Sequence, residues 1–189
     1  MSLKKISPNQ PEDFSFNEKN KILAKEILQN YPKDKKKSAV MPYLSLAQKQ
    51  NDNWIPLAAM KYIAKELSMP YINVYEVATF YSMYNLAPVG KYFIQVCTTS
   101  PCLIRGADKL TKICREKVSD KENEISENGK CSWVEVECLG ACINAPMMQV
   151  NNDYYEDLDE KNTSKIIDSL MEDKPLKPGS YRGRKNSSP

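Results

Sequence analysis

Apolar and polar positions alternate with two different periods along this chain, and the change comes near residue 88. Before it the spacing is helical. In "NEKNKILAKEILQNY" residues Ile22, Leu23, Ile27 and Leu28 share one stripe, which ends at Pro32. The Lys-rich "KDKKK" that follows reads as a solvated linker. Ser38 is placed to cap a second helix through Leu44, Leu46 and Ala47 to about Gln50. In "WIPLAAMKYIAKELSM", Pro56 stands near a helix start, and Leu57, Met60, Ile63, Ala64 and Leu67 lie on one face. Asn73 and Glu76 have capping spacing for a short fourth helix, "VYEVATFYSMY", although its Val and Tyr content also suits a strand.

Beyond "APVG" the pattern shortens. "KYFIQVC" predicts a strand ending at Cys97. "CLIRGADKLTKICREKV" predicts one helix with Leu103, Ala107, Leu110 and Cys114 at helical spacing. A polar loop over 119–131 leads to a strand, "SWVEVE", ending at Cys138, and "PMMQV" and "DYYEDL" predict two short strands about Asn151-Asn152. A last helix starts from Asn162 or Thr163, with Ile166, Ile167, Leu170 and Met171 as its apolar face. The expected class is therefore α+β. A helical bundle over 1–88, with 1–15 flexible, precedes a thioredoxin-like β-α-β-β-α layer over 89–173. The tail 174–189 holds five basic residues, no acidic ones, and much Pro, Gly and Ser. It is expected to be disordered or to order only by docking on a partner.

Composition narrows the chemistry. At 189 residues, with 41% hydrophobic and 27% charged residues, the chain has a globular balance, and a net charge of +3 does not argue for nucleic acid. No apolar run is long enough to span a bilayer, and the N-terminal stretch has neither a secretory h-region nor the Arg-rich character of a transit peptide. A cytoplasmic protein is the default expectation. The chain has six cysteines and no histidine, which removes Ser-His and Cys-His catalysis, imidazole zinc ligands and Rieske-type centres.

Cys97 and Cys102 are separated by four residues, and Cys138 and Cys142 by three. If the strands ending at Cys97 and Cys138 are neighbours, the four thiols converge at one sheet edge. Four thiolates suit a [2Fe-2S] cluster or a structural zinc. The wide, unequal spacings favour the cluster over zinc, and the lack of C-x-x-C at a helix start weighs against a thioredoxin dithiol; zinc and a dithiol stay open from spacing alone. Gly140 would let backbone N–H groups approach sulfur, and Thr98, Thr99 and Ser100 offer hydroxyls to it. Arg105 either adds positive charge or faces water. Cys114 lies on an apolar stripe and reads as a small buried hydrophobe, whereas Cys131, in the polar loop, has no evident partner.

"SAVMPYLSLAQKQ", "VYEVATFYSMYNLAPVGKYFIQVCTTSPC" and "EVECLGACINAPMMQVNNDYYEDL" resemble one family: the thioredoxin-like [2Fe-2S] subunit, or NuoE-type chain, of the NADH dehydrogenase module of respiratory complex I. The resemblance covers residues 15–189, departing locally at "NDNW" and in the charged loop 119–131. It implies cluster ligands at Cys97, Cys102, Cys138 and Cys142. It also implies an electron-carrier role in NADH:quinone oxidoreduction, with NADH and FMN on a flavin subunit beside this one and a further Fe–S subunit nearby. The cluster would lie on the side of the flavin away from the main electron chain. Such a chain would sit peripherally on the cytoplasmic face of a bacterial membrane complex, the mitochondrial matrix being the less favoured site. No G-x-G-x-x-G fingerprint is present among the six glycines, so no dinucleotide site is expected on this chain. The rivals are the equivalent diaphorase subunit of an NAD-linked hydrogenase or formate dehydrogenase, a free-standing thioredoxin-like ferredoxin, and a zinc-stabilised interaction protein. Pro146, ahead of a strand, is expected to be cis.

Overall fold

Two compact units, residues 1–88 and 89–189, make up the chain. The computed structural model describes residues 6–187. The first unit contains four helices: α1 (Glu18–Gln29), α2 (Val40–Gln50), α3 (Leu57–Glu66) and α4 (Tyr71–Phe80). Asn17 caps α1, its side-chain oxygen accepting from the Asn20 N–H at 2.8 Å. The buried face of α1 is carried by Asn20 and Ala24, while Ile22, expected on the apolar stripe, is exposed. "KDKKK" is not a free linker but part of a 3₁₀ stretch, Lys33–Ala39, that winds directly into α2, so Ser38 makes no cap bond there. At α4, Pro70 sets the start, because its fixed φ and missing N–H suit a helix entry; Asn73 then falls inside the helix instead of capping it.

Tyr43, Leu44, Met60, Ile63, Leu67, Val74 and Tyr84 form this unit's core. Its two buried tyrosines keep their hydroxyls satisfied, Tyr43 donating to the Ala24 carbonyl at 3.1 Å and Tyr84 to that of Met41 at 2.9 Å. The expectation of a flexible segment over 1–15 lies outside the described residues for 1–5. From Ile6 onward the chain lies on the bundle. The Ser7 N–H donates to the Leu86 carbonyl at 3.0 Å, and Phe14 meets Phe16 and Tyr62 edge to face.

The second unit has a five-stranded sheet in the order β2-β1-β3-β4-β5, formed by β1 (Tyr92–Cys97), β2 (Cys131–Val136), β3 (Met148–Val150), β4 (Asp153–Glu156) and β5 (Gly179–Ser180). β1 and β2 are parallel, with Cys97 opposite Val136. β3 runs antiparallel to both β1 and β4, and β5 is parallel to β4. Helices α6 (Ala107–Lys117) and α7 (Glu160–Met171) pack on the sheet through Leu110, Cys114, Ile166, Ile167 and Leu170 against Ile94, Val96, Trp133, Met148 and Tyr155. This is the α+β arrangement expected, with three local differences.

The single helix expected over 102–118 is two, α5 (Ser100–Ile104) and α6, because Gly106 takes a left-handed φ of 97° between them; Leu103 is left exposed. α7 begins before Asn162, since Asp159 caps it by accepting from the Asn162 N–H at 2.7 Å. Third, the described part of the tail, residues 174–187, packs on the same unit without a partner. Its residues 179–180 form β5, and residues 184–187 bond to β4 and to the turn before β3.

Candidate metal centre

The parallel pairing of β1 and β2 brings their C-terminal ends to the same sheet edge, and the cysteines follow from there. Cys97 is the last residue of β1, whereas β2 stops at Val136, so Cys138 lies two residues past its strand and not at its end. Cys102 sits within α5, the short helix that follows β1. Cys142 opens a 3₁₀ turn, Cys142–Asn144, that leads to a cis Ala145–Pro146 bond, as expected for this proline.

Cys97 and Cys102 are buried and share a small cluster with Ala107, Ala141, Ala145 and Met147, while Cys138 and Cys142 are exposed above it. The Cys138 and Cys142 sulfurs are 3.7 Å apart and not disulfide-bonded. Among the described residues no three Cys, Asp or Glu side chains close on a single point, so the thiols stand as two pairs. Two sulfurs on one tetrahedral metal with bonds of about 2.3 Å would be separated by roughly 3.8 Å, so the exposed pair already has the spacing of two ligands on one metal ion. With the buried neighbours Cys97 and Cys102 as the second pair, the donor set of four thiols fits a two-iron cluster.

Hydrogen-bond donors surround the sulfurs. The Gly140 N–H donates to Cys138 Sγ at 3.4 Å, and Gly140 holds a φ of 80°, a left-handed conformation that favours glycine; there is open space where a Cβ would stand. Thr99 Oγ1 lies 3.2 Å from Cys97 Sγ. Burial pushes the Cys97 thiol up, but the Thr99 hydroxyl and the N–H groups of Thr99 and Leu139 outweigh it and hold the thiol below its usual range. Cys102 is pushed up to about 12 by burial and by the neighbouring Cys97. Cys142 is raised by its bond with Cys138 first, then by burial. A metal would reverse these upward shifts, since it binds thiolate.

Of the residues expected near sulfur, Thr99 and Gly140 are in contact with it, and Arg105 faces solvent. Cys114 is fully buried in the sheet-helix core, as its stripe implied. Cys131 is a correction: it is the first residue of β2, not part of a polar loop, and is equally buried, its N–H held by Ser126 Oγ at 2.9 Å. Burial raises Cys114 to about 12 and Cys131 to about 11, which makes both poor nucleophiles.

Tyr154 packs against the cysteine cluster and donates its hydroxyl to the Leu139 carbonyl at 2.8 Å, fixing the loop between Cys138 and Gly140. Nothing in the strand pattern of "DYYEDL" distinguishes Tyr154 from its neighbour Tyr155, whose hydroxyl reaches Leu176 instead.

Comparison with known proteins agrees with this architecture. The sequence model of the thioredoxin-like [2Fe-2S] ferredoxin family matches residues 24–171. The chain is 53% identical to an NADH-quinone oxidoreductase chain of Rickettsia bellii over 161 residues, which are 85% of this chain and 96% of that protein. It is 42% identical over 177 residues to the mitochondrial NADH dehydrogenase [ubiquinone] flavoprotein 2 of Dictyostelium discoideum, covering 94% of this chain and 72% of the relative. In fold it is similar to a chain of an NAD+-reducing [NiFe]-hydrogenase, with a TM-score of 0.58 at 17% identity; the match covers 70% of this chain and 23% of that one.

Proposed function

The chain belongs to the thioredoxin-like [2Fe-2S] ferredoxin family, and from that premise we propose that it is the electron-carrier subunit of the NADH dehydrogenase module of an NADH:quinone oxidoreductase. One [2Fe-2S] cluster would be held by Cys97, Cys102, Cys138 and Cys142. The observation that carries the assignment is the placing of these thiols as two pairs, one buried and one exposed, at and just beyond the C-terminal ends of the parallel strands β1 and β2. When bound, the cluster supplies a one-electron donor and acceptor.

The chain's own residues prepare that site. Gly140 and Thr99 bring donors to the Cys138 and Cys97 sulfurs, which offsets the negative charge four thiolates bring. Burial of Cys97 and Cys102 keeps water from one side, while the exposed Cys138 and Cys142 leave a short path for an electron to a partner. Tyr154 and the turn Cys142–Asn144 fix the loops that carry the exposed pair.

NADH and FMN belong, on this reading, to a flavin subunit beside this chain, with a further Fe–S subunit as neighbour. High identity over nearly the whole of a quinone-oxidoreductase chain supports this partner set over the hydrogenase diaphorase, whose 17% identity speaks to fold alone. The helical unit, Met1–Pro88, is extra to a bare thioredoxin-like carrier and supports a subunit over a free-standing ferredoxin. Among the described residues no helix is long and apolar enough to cross a membrane. A peripheral position on the cytoplasmic face of a membrane complex follows if the partners are those proposed.

Affinity capture of the full chain from native membranes tests the assignment. Flavin and quinone-oxidoreductase subunits are the expected companions, and recovery of hydrogenase or molybdenum-enzyme subunits in their place would reassign it.

A further inference from the structure

Two carboxylates with no obvious work stand next to the metal centre. Glu156 closes β4 and Asp157 follows it with a left-handed φ of 55°; their relative exposures are 0% and 2%. Carboxylates this deep need charged or hydrogen-bonded partners, because an unpaired buried charge is strongly destabilising. Both find them in the C-terminal tail and in the turn that follows Cys142.

Arg184 reaches Asp157 with its Nη2 and its Nε, the latter at 3.0 Å from Oδ2, and the same Nη2 donates to the carbonyl of Ile143 at 2.9 Å. Ser180 Oγ adds a bond to Asp157 Oδ2 at 2.6 Å. On the adjacent carboxylate, the N–H of Ser187 donates to Glu156 Oε1 at 3.0 Å. Asn144, itself 2% exposed, links the two sides. Its amide donates to Glu156 Oε2 at 2.7 Å and to the Lys185 carbonyl at 2.8 Å, while its own backbone carbonyl accepts from the Asp157 N–H at 2.8 Å. Gly179 makes room for the tail's return. A Cβ there would stand 2.7 Å from Asn186 Oδ1, and Asn186 in turn accepts from the Ser180 N–H at 3.0 Å.

We propose that residues 179–187 are an intramolecular strap that holds the Cys142–Asn144 turn, with Arg184 and Asn144 as positioning residues for the exposed ligand pair. The strap grips the residues immediately after Cys142 from two directions: Arg184 at the Ile143 carbonyl, Asn144 through its buried amide. Cys138 and Cys142 are both exposed; Tyr154 holds the loop after Cys138, and the strap holds the turn that Cys142 opens. One basic residue of the tail, Arg184, therefore serves a buried acid of the same unit. The ligand role of Cys142 rests on the function proposed above, whereas the mechanical role of the strap does not, and the two are separable by measurement.

The test uses the full chain with Arg184→Gln, Arg184→Lys and, as control, Arg182→Gln, whose side chain makes none of these bonds. Backbone hydrogen exchange of the segment 141–146 reads the strap directly, because the Asn144 and Ala145 N–H groups close the turn. Exchange there is expected to rise about five- to tenfold in Arg184→Gln, less in Arg184→Lys, and least in Arg182→Gln, which removes only a more distant charge from Asp157. In iron-loaded chains, bleaching of the visible absorption by a chelator is expected to accelerate in the same order. Unchanged exchange in Arg184→Gln overturns the strap. Raised exchange with unchanged bleaching, in a chain that does hold iron and sulfide, overturns its role in positioning the ligands. A wild-type chain that binds no iron overturns the proposed function and leaves the exchange result to decide the strap. If Arg184→Gln does not fold, Arg184→Lys carries the same comparison.

Discussion

Gly90 stands just ahead of β1, and its substitution by alanine tests how closely the chain there approaches β2, the pairing that brings the cysteines together. A Cβ on Gly90 would lie 2.4 Å from the Cys131 carbonyl carbon, 2.7 Å from the Ser132 nitrogen and 2.8 Å from the Cys131 Cα. All three atoms are backbone, so no rotamer change relieves the clash, and the start of β2 must move by about 1 Å to restore ordinary contact. Overpacking of this kind costs about 1–3 kcal/mol. The displacement also breaks the bond from the Gly90 N–H to Ser132 Oγ, 2.9 Å long and buried, worth about 1 kcal/mol net. The stiffer unfolded chain returns about 0.5 kcal/mol. Gly90→Ala is therefore expected to destabilise the second unit by about 1.5–3.5 kcal/mol, a fall of roughly 7–16 °C in melting temperature for a unit of this size. The assay is far-UV circular dichroism of the full chain during heating and in urea, alongside the wild type. A fall of less than about 3 °C, with an unchanged urea midpoint, would refute the close approach of this segment to β2 and with it the register argued for Cys97.

Three further outcomes are expected. Cys138→Ser removes one of the exposed pair and should abolish or distort the visible and EPR spectrum, whereas Cys114→Ala should leave the spectrum intact and cost about 1 kcal/mol of stability, read from the urea midpoint. Tyr154→Phe deletes one bond to Leu139 and should lower stability by about 1 kcal/mol while speeding cluster loss to chelator; an unchanged loss rate would remove Tyr154 from the site. The Arg184 guanidinium, ahead of opposing burial and helped by Ser180 and Arg182, holds the Asp157 carboxyl below the usual carboxylate range. A folded pKa below the unfolded one means that its stabilisation is complete above about pH 4 and fades as pH falls through the folded value. The gap in urea midpoint between wild type and Asp157→Asn should therefore be wide at pH 7 and narrow near pH 3, and a constant gap would contradict the ion pair.

Much of the site was legible because its signals are local. Strands that end in or near cysteine, the two pair spacings and a glycine between two thiols are all readable within a dozen residues, whereas the neighbouring of the two strands enters the sequence reading only as a condition, and their parallel pairing comes from the structure. The left-handed Gly106, which splits a helix, was visible as a residue but not as a conformation, since glycine inside a helical pattern is often tolerated. Cys131 was misplaced because the charged residues before it masked the strand's first position. The strap was least legible. Its logic lies in pairs such as Arg184 with Asp157 and Lys185 with Asn144, some 27 and 41 residues apart, and a basic tail rich in Pro and Gly carries the composition of a disordered segment. Only the burial of two carboxylates at the end of β4 shows what the tail is for.

Whether the four thiols hold a two-iron cluster is decided by metal and acid-labile sulfide analysis of the full chain, purified without oxygen. Two thiol pairs at one sheet edge predict about two irons and two sulfides per chain, lost together when Cys97 or Cys142 is replaced by serine. A colourless protein holding one zinc and no sulfide, or iron that survives both substitutions, would contradict it.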